Sequence, residues 1–345
     1  MRIGLVSSAV PLVNGGGRFI VEWARAHLQA SGHEVEMFFL PFVETPETMF
    51  DQIAAYRLID LTQSCDRIVT FRPPAHVIEH PNKIAWFIHH IRGFYDLWDT
   101  PYAAAKNDPK GRALRDRMIA TDTRTLGECR RIFTNSQVVS DRLARFNGLA
   151  STPLYPPIWR PERFRPGAYG DEIVAVCRVE AHKRQDLLID AMRHVSTGVK
   201  LRICGLASNP EFAASLSAKI KEGGLSDRVA FENRWISEEE KADIIENALA
   251  VAYLPLDEDS YGYPSLEGAH AEKAIVTAVD SGGTLELVQD GRNGFISGAD
   301  PRAVAAAFDA LHADKARARR MGAESRARLH ELRIDWDRVT EALTS

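Results

Sequence analysis

The chain has 345 residues, of which 45% are hydrophobic and 26% charged, and a formal net charge of -4 at pH 7. This length is long for a single core and favours two domains, and the composition is that of a globular protein rather than a fibrous, disordered or disulfide-stapled one. The charge excludes a general attraction to nucleic acid or anionic lipid, so any site for a polyanion must be local.

The opening MRIGLVSS reads as a short strand without the basic stretch and long apolar core of a secretory leader, and no segment approaches the roughly 18 apolar residues of a spanning helix. Cys65, Cys129, Cys177 and Cys204 lie far apart with no C-x-x-C pair, and Cys177 and Cys204 fall inside strand-like runs. Reduced thiols of a cytoplasmic protein are the expectation. Contact with the inner face of a membrane is the alternative.

In chain order, a strand at 2–6 precedes the loop Asn14-Gly15-Gly16-Gly17, a helix at 19–30 that stops at Gly32, and a strand at 35–40. Further strands are predicted at 67–71, 84–88 and 131–134, separated by segments long enough for helices, so a parallel sheet covered on both faces is expected. Pro153, Pro156, Pro157, Pro161 and Pro166 crowd a stretch that suits neither a helix interior nor a central strand, and the linker is placed there.

The alternation then restarts: strand 173–178, helix 185–194, strand 200–204, helix 211–222 and strand 229–231. Ser237 with Glu240 offers a capping box for a helix reaching Ala248, followed by strand 250–254, a short helix from Ser265 and strand 274–277. Residues 303–332 read as helical with a charged outer face. The expected domains are 1–165 and 166–332, with a last helix at about 333–345 returning to the first.

The segment from Asp259 to Glu267 places an acid at each end with a turn at Gly262 and a helix start between. A helix N-terminus presents unpaired N–H groups and the positive end of a dipole, which suits a diphosphate. Tyr263, Pro264, Ser265 and Leu266 lie at the turn and helix start, and Glu267 can accept from a ribose diol. Arg178 and Lys183 follow the strand at 173–178, where open α/β sheets bind ligands and where cations can offset charge on a leaving diphosphate. Each element alone also has a structural reading, as a solvated loop or an ordinary turn.

Taken together and in this order, residues 173–191 and 229–295 resemble the nucleotide-sugar domain of the family 4 retaining glycosyltransferases, which have the GT-B fold. The resemblance implies two doubly wound Rossmann-like domains with a deep cleft between them. It implies diphosphate contacts from Arg178 and Lys183, a ribose contact from Glu267, and Asp259 beside the transferred sugar. That family usually has Glu at the position of Asp259, one methylene longer. Its glycine loop matches Gly15, Gly16 and Gly17, and Gly282-Gly283 with Glu286 resembles the segment after its acidic motif. His89, directly after a strand, matches a histidine that faces the donor sugar, with His90 the alternative. Asn135-Ser136 resembles another family position, although it can also cap the next helix.

Other signals are weaker. A dinucleotide fingerprint at Gly15 fails because Ile20 stands where its last glycine is required. His76-Val-Ile-Glu-His80 fits a zinc-peptidase string, but Pro73, Pro74 and Pro81 leave no room for its helix. Asp257-Glu-Asp259 and Asp335-Trp-Asp337 match D-x-D, a string that arises readily by chance, and no metal or other cofactor is expected. The arginines between Lys106 and Arg131 could meet anionic lipid or solvate a helix face. Phe94, Tyr95, Trp98 and Tyr102 could stack on an acceptor sugar or pack a core.

The implied reaction is transfer of a hexose, mannose, glucose or a relative, from a GDP- or UDP-linked donor to a glycan, a lipid-linked saccharide or a small molecule. An epimerase on the same fold and a non-catalytic nucleotide-sugar-binding protein are the alternatives. No nucleic-acid partner is expected.

Overall fold

The first apolar run becomes β1 (Arg2–Ala9). It is followed by α1 (Gly16–Ala30), β2 (Glu34–Pro41), α2 (Met49–Arg57), β3 (Arg67–Thr70), β4 (Lys83–Phe87), α3 (Pro109–Gly127), β5 (Arg131–Thr134), α4 (Gln137–Asn147) and β6 (Thr152–Pro153). This computed structural model describes residues 1–10 and 16–345, so Asn14 and Gly15 of the expected glycine loop lie outside the described residues. The chain forms two units, Met1–Pro156 with Ile334–Ser345, and Pro157–Arg333.

In the first unit the strands pair in parallel in the order β2-β1-β3-β4-β5-β6, with Ile3 beside both Val35 and Arg67. β3 and β4 are buried at every residue, as strands covered on both faces are, the polar Arg67, Thr70 and Lys83 included. Pro153 stands on the edge strand β6, where a missing N–H costs no central ladder bond. α1 buries Ile20, Val21, Ala24 and Leu28, which recur at helical spacing against the sheet.

The second unit continues with β7 (Glu172–Val176), α5 (Gln185–Met192), β8 (Lys200–Cys204), α6 (Pro210–Glu222), β9 (Val229–Glu232), α7 (Glu238–Glu246), β10 (Ala250–Ala252), α8 (Tyr263–His270), β11 (Ala274–Ala278), α9 (Thr284–Leu287), β12 (Gly294–Ser297), α10 (Pro301–Ala313) and α11 (Lys315–Glu331). Its parallel sheet has the order β12-β11-β10-β7-β8-β9, which is the doubly wound Rossmann order. Its core gathers Ile173, Leu201, Ile203, Val276, Phe308 and their neighbours from strands and helices alike.

Three expectations are corrected. The helix expected across 303–332 is two helices, broken at Asp314, whose backbone leaves the helical region while its carboxylate caps α11 through the Arg317 N–H. The strand expected at 173–178 stops at Val176, and the Arg178 carbonyl is taken by the Gln185 side chain. The short helix expected from Ser265 begins two residues earlier, at Tyr263, with Pro264 in its first turn.

α12 (Trp336–Thr344), capped by Asp335, lies against α1. The Trp336 ring stacks on His27 with centroids 4.5 Å apart, and Arg67 Nη1 donates to the Leu343 carbonyl at 2.7 Å. Trp336, Val339, Ala342 and Leu343 join the same apolar cluster as β1 and α1. Trp336→Ala should therefore destabilise the first unit by about 3 kcal/mol or more. In chemical denaturation, the transition of that unit should shift and that of the second unit should stay.

Candidate functional site

In the second sheet the chain runs outward from β7 to β8 and β9, then returns to place β10 on the other side of β7. The loops after β7 and β10 thus leave neighbouring carboxyl ends in opposite directions, which opens the crevice where such sheets bind ligands. The β7 loop carries Arg178 and Lys183. The β10 loop carries Asp259 and leads into α8 with Glu267.

The β7 loop is fixed from below. Gln185, 1% exposed, donates from Nε2 to the Arg178 carbonyl at 3.0 Å, and the Val179 N–H bonds the Leu206 carbonyl at 3.1 Å. The Arg178 side chain itself stays 63% exposed, with Nη1 3.6 Å from the Glu180 carboxylate. Lys183 ends a 3-10 turn, and its ammonium is buried. It donates to the Tyr253 hydroxyl at 2.6 Å and pairs with the Glu258 carboxylate, to which Tyr253 also donates at 3.0 Å. Burial lifts the Glu258 carboxyl, but Lys183 and the Tyr253 hydroxyl outweigh it and hold the group below its ordinary range.

Arg184 joins the loops to one another. With backbone in the left-handed region at φ 54°, it donates to the Leu254 carbonyl at 2.7 Å and the Pro255 carbonyl at 2.9 Å, and it forks onto Asp280 at 2.7 and 2.8 Å. The 257–260 segment is held on its far side by Gly282-Gly283. The Gly283 N–H bonds the Glu258 carbonyl at 2.8 Å, and a Cβ at Gly282 would meet that carbonyl oxygen at 2.3 Å. Gly-Gly is required there because two backbones touch.

The expected acid Asp259 is partly buried on this segment, one residue beyond the acid that receives Lys183. At the start of α8, Gly262 has φ 69°, and a Cβ would meet the Tyr253 ring at 2.1 Å. Pro264 has no N–H, and the Ser265 N–H turns back to the Gly262 carbonyl at 3.2 Å. The buried Ser265 hydroxyl has no partner among the described residues. Glu267, 5% exposed, accepts from Lys241 of α7 at 2.6 Å through one carboxylate oxygen. Burial pushes the Glu267 carboxyl up and Lys241 limits the rise.

In the first unit Gly16 opens α1, and a Cβ on Gly17 would come within 2.9 Å of the Arg72 side chain beyond β3. His89 and His90 follow β4. His90 is buried: Asn147 donates from Nδ2 to Thr123 Oγ1 at 2.8 Å, which turns its Oδ1 to accept from His90 Nε2 at 2.9 Å. His89 is partly exposed, and its Nδ1 lies 2.7 Å from the His90 carbonyl. A carbonyl only accepts, so Nδ1 holds the proton and neutral His89 presents Nε2 as an acceptor.

Several other sequence signals resolve structurally. Ser136 caps α4 through the Val139 N–H, while the buried Asn135 side-chain oxygen has no partner among the described residues. His76 sits on a single 3-10 turn and bonds Asp122 at 2.9 Å, and His80 bonds the Cys65 carbonyl at 3.1 Å. Phe94, Tyr95 and Trp98 are core residues, whereas Tyr102 is 75% exposed. Asp335 caps α12. Among the described residues, no group of three His, Cys, Asp or Glu side chains is placed to hold a metal ion, and no helix is long and apolar enough to cross a membrane.

Sequence reasoning missed Arg184, Gln185, Lys241, Tyr253 and Glu258. Arg184 and Glu258 each sit beside a residue that was singled out, in the strings Lys183-Arg184 and Glu258-Asp259. Nothing local ties Lys241 to Glu267, because that pair exists only once α7 and α8 pack.

Two parallel six-stranded Rossmann-like sheets match the fold of GT-B glycosyltransferase structures. Residues 162–328, nearly the whole of the second unit, match the family described as Glycosyl transferases group 1. It is 35% identical over 127 residues to the alpha-1,3/1,6-mannosyltransferase ALG2 of Dictyostelium discoideum, covering 37% of this chain and 30% of that one. It is 33% identical over 168 residues to a D-inositol 3-phosphate glycosyltransferase of Xylanimonas cellulosilytica, covering 48% and 39%. The chain thus spans less than half the length of these two relatives. Among solved structures, Anabaena HepE in complex with UDP superposes with a TM-score of 0.75 at 16% identity, over 99% of this chain and 98% of that one. The sucrose-phosphate synthase of Thermosynechococcus elongatus gives 0.75 at 17% identity, over 98% and 96%. At such identities the likeness is one of fold.

The buried histidines set an acid limit. Burial pulls His90 down to about 4, and burial with Arg326 and His330 pulls His270, at the end of α8, down to about 4. Between the unfolded value near 6.5 and about 4 the unfolded chain binds protons that the folded chain refuses. Stability should therefore be intact above pH 6.5 and fall as pH drops towards 4, by up to about 3 kcal/mol per histidine. His270→Leu should flatten the pH dependence of the second unit's denaturation midpoint over that window.

Proposed function

We propose that this chain is a retaining glycosyltransferase that moves a hexosyl group from a GDP- or UDP-linked donor to a hydroxyl of a glycan, a lipid-linked saccharide or a small molecule. The observation that carries the reading is the meeting, at one switch point, of a cation loop with a helix start that buries a carboxylate. A nucleoside diphosphate asks for these groups in this order, cations for the phosphates and a carboxylate for the ribose diol.

Arg178 and Lys183 take up the negative charge that grows on the diphosphate as it leaves, with Gly262 and Tyr263 at the positive end of α8 adding to them. The task a metal would have there is filled by side chains. Glu267 holds the ribose through the carboxylate oxygen that Lys241 does not occupy. Asp259 and His89 orient the sugar, His89 accepting from a sugar hydroxyl through Nε2. The reading of retention and of hexose donors is supported by the likeness to that family. The mannosyltransferase among the relatives and HepE, solved with UDP and with UDP-glucose, make GDP- and UDP-sugars the first donors to try.

Titration calorimetry with UDP and GDP tests the site. Arg178→Ala, Lys183→Ala and Glu267→Ala should each weaken one of them by about tenfold or more, equivalent to at least about 1.4 kcal/mol. Unchanged affinity in all three would sink the assignment. With a panel of nucleotide sugars, nucleotide release together with an acceptor product of increased mass is expected. Release of an altered donor instead would mark an epimerase, and binding without turnover a non-catalytic protein. His89→Ala should lower kcat while leaving nucleoside diphosphate affinity within about twofold.

A further inference from the structure

Lys183 is the cation the donor-site reading assigns to the diphosphate, yet its ammonium is already engaged. It is 9% exposed, it donates to the Tyr253 hydroxyl at 2.6 Å, and it is ion-paired with Glu258, which Tyr253 bridges at 3.0 Å. Glu258 is anchored through its backbone, bridged to Gly282 and with its carbonyl receiving the Gly283 N–H at 2.8 Å. Its side chain hangs from a fixed point and is 25% exposed.

A buried ammonium left alone carries a large desolvation cost, so a lysine in this position needs a partner whether or not a ligand is present. A diphosphate and Glu258 offer the same chemistry, anionic oxygens, to the same three N–H bonds. They also repel each other.

We propose that Glu258 is the resident counter-ion of Lys183, occupying in the nucleotide-free protein the place that the diphosphate takes over, and that its displacement sets donor affinity. This inference rests on the donor-site reading and extends it to a residue outside the Asp259–Glu267 segment. Tyr253 is the hinge of the exchange, since its hydroxyl accepts from Lys183 whichever anion sits opposite. The exchange keeps the ammonium paired throughout. In return, the free protein is stabilised at the expense of nucleotide affinity, because only the difference between the two partners appears in binding.

Calorimetry with UDP and GDP on the full chain decides it, using the wild type, Glu258→Gln, Lys183→Met and the double variant. Glu258→Gln keeps the shape and hydrogen-bonding capacity of the side chain but removes the competing charge. It should bind whichever nucleotide the wild type prefers about tenfold more tightly, in the range usual for one coupled interaction. It should melt at a lower temperature than the wild type without nucleotide, and gain more on saturation. In the Lys183→Met background, Glu258→Gln should have little effect, because the contest is for Lys183. A well-folded Glu258→Gln protein with unchanged or weaker affinity would overturn the inference, as would an equal gain in both backgrounds. If Lys183→Met alone leaves affinity unchanged, Lys183 does not hold the diphosphate and the inference is overturned, whereas the donor-site reading itself fails only if Arg178→Ala and Glu267→Ala bind unchanged as well. Should Glu258→Gln not fold, Glu258→Asp serves instead: one methylene less weakens the pair, so a smaller gain in affinity is expected and a loss would overturn the inference.

Discussion

The geometry of the second unit's switch point depends on Arg184. One guanidinium, mostly withdrawn from solvent, ties the loop after β7 to the carbonyls of residues 254 and 255 beyond β10 and to Asp280 beyond β11. Three strand ends that the sequence keeps about 25 to 100 residues apart are thereby held in one frame. Arg suits the position better than Lys, since only a planar fork can satisfy two carbonyls and both oxygens of a carboxylate at once. Its left-handed backbone also turns the chain out of the 3-10 turn that ends in Lys183 and into α5. Lys183 and Arg184 stand side by side, the first met by the Tyr253 and Glu258 side chains, the second by two backbone carbonyls and the Asp280 carboxylate.

Around this frame the site's charges are compensated before any ligand arrives. Lys183 faces Glu258 and Lys241 faces Glu267, both pairs largely buried, while Arg178 reaches into solvent with one loose partner. A low-dielectric pocket with an uncompensated charge would cost the fold several kcal/mol, which explains why each buried group has its opposite. In a chain of net charge -4, the proposed diphosphate site is a local one, made by one loop and one helix start. The partial charge at the start of α8 adds to it only over the first turn.

Much of this was legible in the sequence, for identifiable reasons. Strands buried on both faces carry apolar centres, so β3, β4 and β11 were plain, and the proline crowd at 153–166 could mark no helix interior or central strand. Ser237 with Glu240 announced α7 because capping is a local interaction. The break at Asp314 was hidden because the helical pattern continues on both sides and Asp is tolerated within it, the decisive signal being backbone conformation. Phe94, Tyr95 and Trp98 could not be assigned, since aromatic spacing is the same whether rings face a core or a sugar.

The residues that escaped share one property: their partners are distant in sequence and adjacent only through the sheet order. Lys241 meets Glu267 because α7 and α8 flank β10, and Tyr253 reaches Lys183 because β10 lies beside β7. Motif reading finds groups that touch a ligand, because a ligand imposes spacing on one loop at a time. It does not find groups that hold those residues, because the holding is done across loops. The acidic string 257–259 shows the limit at a single step: composition cannot say which of three neighbouring acids pairs with Lys183, and Glu258 does so on a segment whose close backbone approach Gly282 and Gly283 permit. A side chain at Gly282 would push that segment away and, with it, the carboxylate that now neutralises Lys183.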